Sequence, residues 1–134
     1  MLGGGNPISG GSNPAGIGTS LNYIGDHVYA NSGIVACDDN ATTLIDSTTG
    51  NQYMTVRLDF GTGSVSARDM LWKVSLDSQE VYSYVTAGTN QQGSDAQNSI
   101  KLLIPGQSRL QITCRNVTDD NSENQSVVLT GRVY

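Results

Sequence analysis

Basic residues are scarce in this 134-residue sequence: seven Lys and Arg stand against twelve Asp and Glu, for a formal net charge of −5. Affinity for nucleic acid comes largely from Lys and Arg set against phosphates, so no polynucleotide partner is expected. The same shortage argues against anionic membranes, and no stretch approaches the roughly 20 apolar residues of a membrane helix. Histidine occurs once, at His27. A general base there needs a nucleophile and an orienting carboxylate, and neighbouring Asp26 would point to the opposite face of a strand. A zinc site would lack ligands. No enzyme, cofactor or metal is therefore expected. The two cysteines, Cys37 and Cys114, make no disulfide framework. Each reads as a small buried hydrophobe, with a disulfide between them as the alternative. The opening lacks a basic start followed by an apolar run, so no secretory signal is expected and synthesis is placed in a cytoplasm.

A 3.6-residue period is missing too; from about residue 20 onward the dominant period is two. In YMTVRLDF, Met54, Val56, Leu58 and Phe60 alternate with Tyr53, Thr55, Arg57 and Asp59, the mark of a strand with one buried and one wet face. LWKVSLDSQEVYSYV puts Trp72, Val74 and Leu76 on one face and turns at Asp77-Ser78-Gln79, which reads as a hairpin. In SIKLLIPGQSRLQITC, Ile100, Leu102 and Ile104 face one way, Pro105-Gly106 breaks the strand, and Leu110, Ile112 and Cys114 resume. HVYANSGIVAC, ATTLI and SVVLTGRVY complete seven or eight short strands. Strands with one apolar face must bury it against a second sheet, so an antiparallel β-sandwich follows, with jelly-roll winding expected. The twelve named apolar residues from Met54 to Ile112 form the expected core.

Ahead of this domain, residues 1–25 read as an extended arm rich in Gly, Asn and Pro, and residues 26–134 as the sandwich. The arm carries no charge before Asp26 and has too little apolar surface to order itself. Its spaced apolar residues, Leu2, Ile8, Ile17 and Leu21, suit a segment lying in a groove of another subunit, with a flexible linker as the alternative. GGGNPISGGS has no Gly-Lys-Ser/Thr ending and is not a phosphate loop.

The hairpin WKVSLDSQEVYSY, the unit IKLLIPGQSRLQI and the ending SVVLTGRVY resemble the single jelly-roll proteins of virus particles. They are most similar to small decoration, or cement, proteins on the capsids of tailed bacteriophages. The resemblance implies a structural virion protein that sits on the shell as an oligomer, often a homotrimer. It implies contact with the major capsid protein or other virion subunits, the arm serving as tether. Carbohydrate or receptor binding by a β-sandwich module is the alternative, with Tyr82 and Tyr84 on one face of a strand as its platform. Side-by-side exposure of those tyrosines favours sugar, and burial favours the structural role. The acidic pairs Asp38-Asp39 and Asp119-Asp120 read as solvated turns, with a calcium site between the two loops as the alternative. The sequons at Asn40, Asn116 and Asn124 mean little in a chain this rich in Asn, Ser and Thr.

Overall fold

The computed structural model of the chain describes residues 18–62, 69–86 and 98–134. Ten strands run through them: β1 (Asn22–Ile24), β2 (His27–Asn31), β3 (Val35–Cys37), β4 (Thr42–Thr48), β5 (Met54–Thr62), β6 (Met70–Leu76), β7 (Gln79–Thr86), β8 (Asn98–Ile104), β9 (Arg109–Asn116) and β10 (Glu123–Val133). The larger sheet has the order β1-β2-β10-β5-β8, with β3 also paired to β10, and the smaller has the order β4-β9-β6-β7. Every pairing is antiparallel. The pairs nest, β6 with β7, β5 with β8, β4 with β9 and β2 with β10. A single long hairpin wound over itself gives this nesting, and it is the jelly roll that the strand pattern led us to expect.

The strand count exceeds the expected seven or eight because β1 and β3 have three residues each, too few for an alternating pattern. β3 carries on beside β10 where β2 stops. Between them Ser32 holds the line, its N–H donating to the Val127 carbonyl at 3.0 Å and its Oγ accepting from the Val127 N–H at 2.9 Å.

Nine of the twelve expected core residues are buried: Met54, Val56, Leu58, Phe60, Trp72, Val74, Ile104, Leu110 and Ile112. Leu76, Ile100 and Leu102 are half-buried and pack against the core from outside it. The reason is position, since β8 is an edge strand and Leu76 sits at the hairpin tip. Leu44 and Ile45 are both buried although adjacent, because a bulge in β4 between Thr43 and Ile45 turns both inward.

The two ends of the sandwich differ. Tight connections gather at one end, where Thr49 and Gly50 meet the 105–108 turn through four backbone-anchored bonds: Thr49 N–H to the Ser108 carbonyl, Ser108 N–H to Thr49 Oγ1, Thr49 Oγ1 to the Pro105 carbonyl and Gln107 N–H to the Gly50 carbonyl. The β6–β7 tip lies there too, with Asp77 and Ser78 both at positive φ (51° and 68°). Its strain is offset by Asp77, whose N–H donates to the Arg109 carbonyl and whose Oδ1 accepts from the Arg109 N–H. At the opposite end the acidic connections 38–41 and 117–122 come together, as the Asn116 N–H to Asp38 carbonyl bond of 2.7 Å shows.

Gly131 marks the closest approach inside the larger sheet. A Cβ there would stand 2.1 Å from the Thr55 carbonyl oxygen and 2.8 Å from Val56 Cα. Both are backbone atoms of β5, so Gly131→Ala must pry β10 from β5 and should cost about 1–3 kcal/mol or more. Leu110→Ala, which leaves a cavity in the core, should cost about 2–5 kcal/mol. Ser78→Gly removes a strained side chain from the left-handed region and should raise stability by about 1 kcal/mol. Urea titrations of the three variants check all three values; a neutral Gly131→Ala would contradict the packing described.

Candidate functional site

Residues 18–24, the described end of the expected arm, lie against the sandwich. The Gly18 N–H donates to the Asn31 carbonyl of β2 at 2.9 Å, while the Thr19 carbonyl accepts from the Asp46 N–H of β4 at 3.0 Å. One short segment thus ties β2 of the larger sheet to β4, the outer strand of the smaller, and runs on into β1, the larger sheet's own outer strand on that side. Leu21 and Tyr23 point into the core, 5% and 8% exposed, and burial pushes the Tyr23 hydroxyl pKa up. Leu21, expected to contact another subunit, therefore belongs to the chain's own core, and the expected boundary at residue 25 falls inside the β1–β2 turn. Leu2, Ile8 and Ile17 lie outside the described residues. Nothing in the sequence separated Leu21 from the other isolated apolar residues of a glycine-rich run, because what holds it in the core is backbone bonding of its neighbours to β2 and β4.

Asp46, whose N–H holds Thr19, is itself tied to the neighbouring strand β9. Its carboxylate takes a two-point ion pair from Arg109, at 2.9 and 2.8 Å, and the guanidinium hydrogen bond keeps the Asp46 carboxyl below its ordinary pKa. A downward shift means that the pair's contribution is in place above the ordinary aspartate pKa, about 4, and fades as pH falls through the lowered value. Both side chains are well exposed, so screening keeps that contribution small.

The side of the sandwich opposite the anchor is bounded by β7 and β8, the outer strands of the two sheets. Tyr82 and Tyr84 stand across from Val74 and Trp72 and so face inward. They are half-buried, with Tyr82 stacked on Phe60 at 6.2 Å and on Tyr84 at 6.5 Å. This is packing at the margin of the core, and it removes the open platform that a sugar ring would need. Phe60 also meets Trp72 at 5.0 Å, whose Nε1 is buried with no hydrogen-bond partner among the described residues.

The acidic loops fold back on themselves. Asp38 Oδ1 accepts from the Asn40 N–H, and Asp119 Oδ1 accepts from the Asn121 N–H and from Asn116 Nδ2. Among the described residues no three Asp, Glu, His or Cys side chains converge as a cation site. His27 is exposed on the outer face of the larger sheet. Cys37 and Cys114 are free and buried, one on each sheet. Their side chains hydrogen-bond to each other, which together with burial pushes the Cys114 thiol far up.

An exposed feature that the sequence pattern did not single out is the outer face of the larger sheet. The pairing registers set its side chains in rows: Tyr134 beside Tyr53, then His27, Arg132, Thr55 and Leu103, then Tyr29, Thr130, Arg57 and Lys101, then Asn31, Val128, Asp59 and Ser99. Tyr53 and Tyr134 stack at 5.3 Å and are about half exposed. Below them a shallow groove of about 480 Å³ is lined by Thr55, Arg57, Lys101, Leu103, Thr130 and Gly131. Tyr53 was legible as a wet-face residue, but its stacking partner enters only through the β5–β10 register.

Neither a protein-family model nor a curated protein sequence matches the chain. Among solved structures it is similar over 80% of its length to the VP2 subviral particle of infectious bursal disease virus, at 13% identity and a TM-score of 0.47, covering 32% of that chain. Insecticidal delta-endotoxin Cry8Ea1 from Bacillus thuringiensis is similar over 73% of the chain and 19% of its own length, at 12% identity and a TM-score of 0.41. Dimeric latent PorU from Porphyromonas gingivalis is similar over 88% of the chain and 14% of its own length, at 12% identity and a TM-score of 0.40. The chain spans less than a third of the length of each. At these identities and TM-scores the likenesses assign neither a family nor a role.

Two outcomes check the geometry of the anchor and the thiols. Leu21→Ala should destabilise the sandwich by about 2–5 kcal/mol in urea, as a core residue does and an arm residue does not. In the native protein neither thiol should react with Ellman's reagent within minutes, and both should react after unfolding. Rapid native labelling would place the pair at the surface.

Proposed function

We propose that the chain is a structural virion protein of the decoration or cement type, binding the outside of a capsid shell as a homo-oligomer, with the residues before Gly18 as its tether. The observation that carries this reading is the fixed start of the arm. Gly18 and Thr19 are hydrogen-bonded to both sheets, and Leu21 and Tyr23 are buried just behind them. A tail joined to so rigid a base transmits load to the whole sandwich instead of fraying from it. The seventeen preceding residues carry no charge and when extended can reach about 55–60 Å, farther than the width of a small domain. Leu2, Ile8 and Ile17 are spaced along that reach, each able to contribute about 1.5–3 kcal/mol if fully buried on a neighbour. In this reading the partners are the major capsid protein and further copies of the chain, the protein resides in the virion after synthesis in a cytoplasm, and no reaction is catalysed.

A second reading, a carbohydrate- or receptor-binding module, is favoured by one observation: the exposed stack of Tyr53 and Tyr134 beside a groove. Its platform would be that pair in place of Tyr82 and Tyr84.

Deletion of residues 1–17 separates the two. The β-rich circular dichroism spectrum and urea midpoint should be kept, because the anchor at 18–24 remains, while binding to purified particles of the source virus should weaken at least tenfold. Undiminished particle binding by the truncated chain would overturn the tether. Loss of binding to glycans or cells by Tyr134→Ala, with particle binding absent in the full chain, would support the second reading.

A further inference from the structure

We infer that the outer face of the larger sheet is a homotypic contact surface, through which two copies of the chain pair sheet to sheet. Nine large hydrophobic side chains are exposed among the described residues, and five of them, Ile24, Tyr53, Leu103, Val128 and Tyr134, lie on this one face. Single exposed hydrophobics are ordinary, but concentration on one face is the pattern of an interaction surface, and tyrosine and arginine are its enriched members.

Charge decides the occupant. Arg57, Lys101 and Arg132 stand there with Asp59 and Asp26, three cations against two carboxylates, a formal +1. The remainder of the chain holds four cations and ten carboxylates, a formal −6. Much of that excess sits in the end connections, at Asp38, Asp39, Asp119 and Asp120, so copies that approach end-on meet with like charge. The outer face of the smaller sheet is as balanced, with Lys73 paired to Glu80 and Arg109 to Asp46, but lacks the cluster of exposed apolar side chains. On the larger sheet's outer face copies meet nearly neutral, with Arg57 already bound to Asp59 at 3.1 Å and Arg132 to Asp26 at 3.4 Å. A net of +1 is too small to select a strongly acidic partner, and the groove is open and shallow where a small-molecule site would be enclosed.

Size sets the strength. Five strands about 4.8 Å apart, with rows running from Tyr53 to Asp59 at about 3.3 Å per residue, give a patch of about 500–600 Å². A pair would bury about 1,000–1,200 Å² in total, the lower limit for a specific interface. The contact is accordingly weak and reversible, and it follows a two-fold axis in which the same rows face each other. It goes beyond the tether reading and uses none of residues 1–17, so loss of tethering and loss of pairing are separately measurable.

Sedimentation equilibrium of the full chain between about 1 and 200 µM tests the inference. The mass should rise from monomer toward dimer over that range, and more readily in 0.5 M NaCl than in 0.05 M, since salt screens the repulsion between acidic bodies. The double variant Leu103→Glu/Val128→Glu should weaken pairing at least tenfold. Val85→Glu/Val117→Glu, which adds equal charge at exposed positions off this face, should weaken it less than threefold. Circular dichroism of both variants establishes that they are folded. A full chain that stays monomeric at 200 µM overturns the inference and leaves the face to a partner of another sequence or to residues 1–17. Equal weakening by both double variants overturns it as well, by making net charge the cause.

Discussion

β10 holds the larger sheet together. Along one side it pairs with β5 from Gln125 to Val133, and along the other with β2 and then β3. Four of its side chains or positions, Val127, Leu129, Gly131 and Val133, stand opposite Phe60, Leu58, Val56 and Met54, so the register of this one strand decides which residues of β5 are buried. A slip of one residue would turn every one of them to water. Gly131 guards against it, because only a residue without a side chain fits against the Thr55 carbonyl there. The outer rows of the sheet, the Tyr53–Tyr134 stack included, are consequences of the same register.

The sides of the sandwich then divide the work. Where β1 and β4 lie outermost, Gly18 and Thr19 link the two sheets through one backbone bond to β2 and one to β4. A bridged margin does not recruit a foreign strand. Where β7 and β8 lie outermost, aromatic rings fill the gap from within, Tyr82 and Tyr84 leaning on Phe60. The first side fixes residues 18–24, the second keeps the core shut, and the broad outer face of the larger sheet holds five of the nine exposed large apolar side chains among the described residues.

Much of this was legible in the alternation of the sequence. Met54 to Phe60, Trp72 to Val74 and Leu110 to Ile112 declared their faces because a strand repeats every two residues. Three kinds of residue escaped. Leu21 and β1 were hidden in a glycine-rich run with no period. Leu44 and Ile45 broke the alternation through a bulge. Tyr82 and Tyr84 were assigned correctly to a common face, but only the pairing with Val74 and Trp72 shows that this face looks inward. Local pattern reports which side chains travel together; the direction they face is a property of the pairing between distant strands.

The nesting of the pairs also sets an order for folding. Only the β6–β7 tip and the β1–β2 turn join strands that are neighbours in both sequence and space; each later pair in the nest closes a longer loop, at an entropic cost that grows with length. Zipping from the tip outward would meet the cheapest closures first and leave the pairing of β2 with β10, the longest loop, to the end. So long-range a topology is expected to fold in milliseconds to seconds, slower than a helical domain of equal length. Gly18 and Thr19 rest on β2 and β4, the strands that close the longest loops, so in this order residues 18–24 are fixed to the body only when the body is finished.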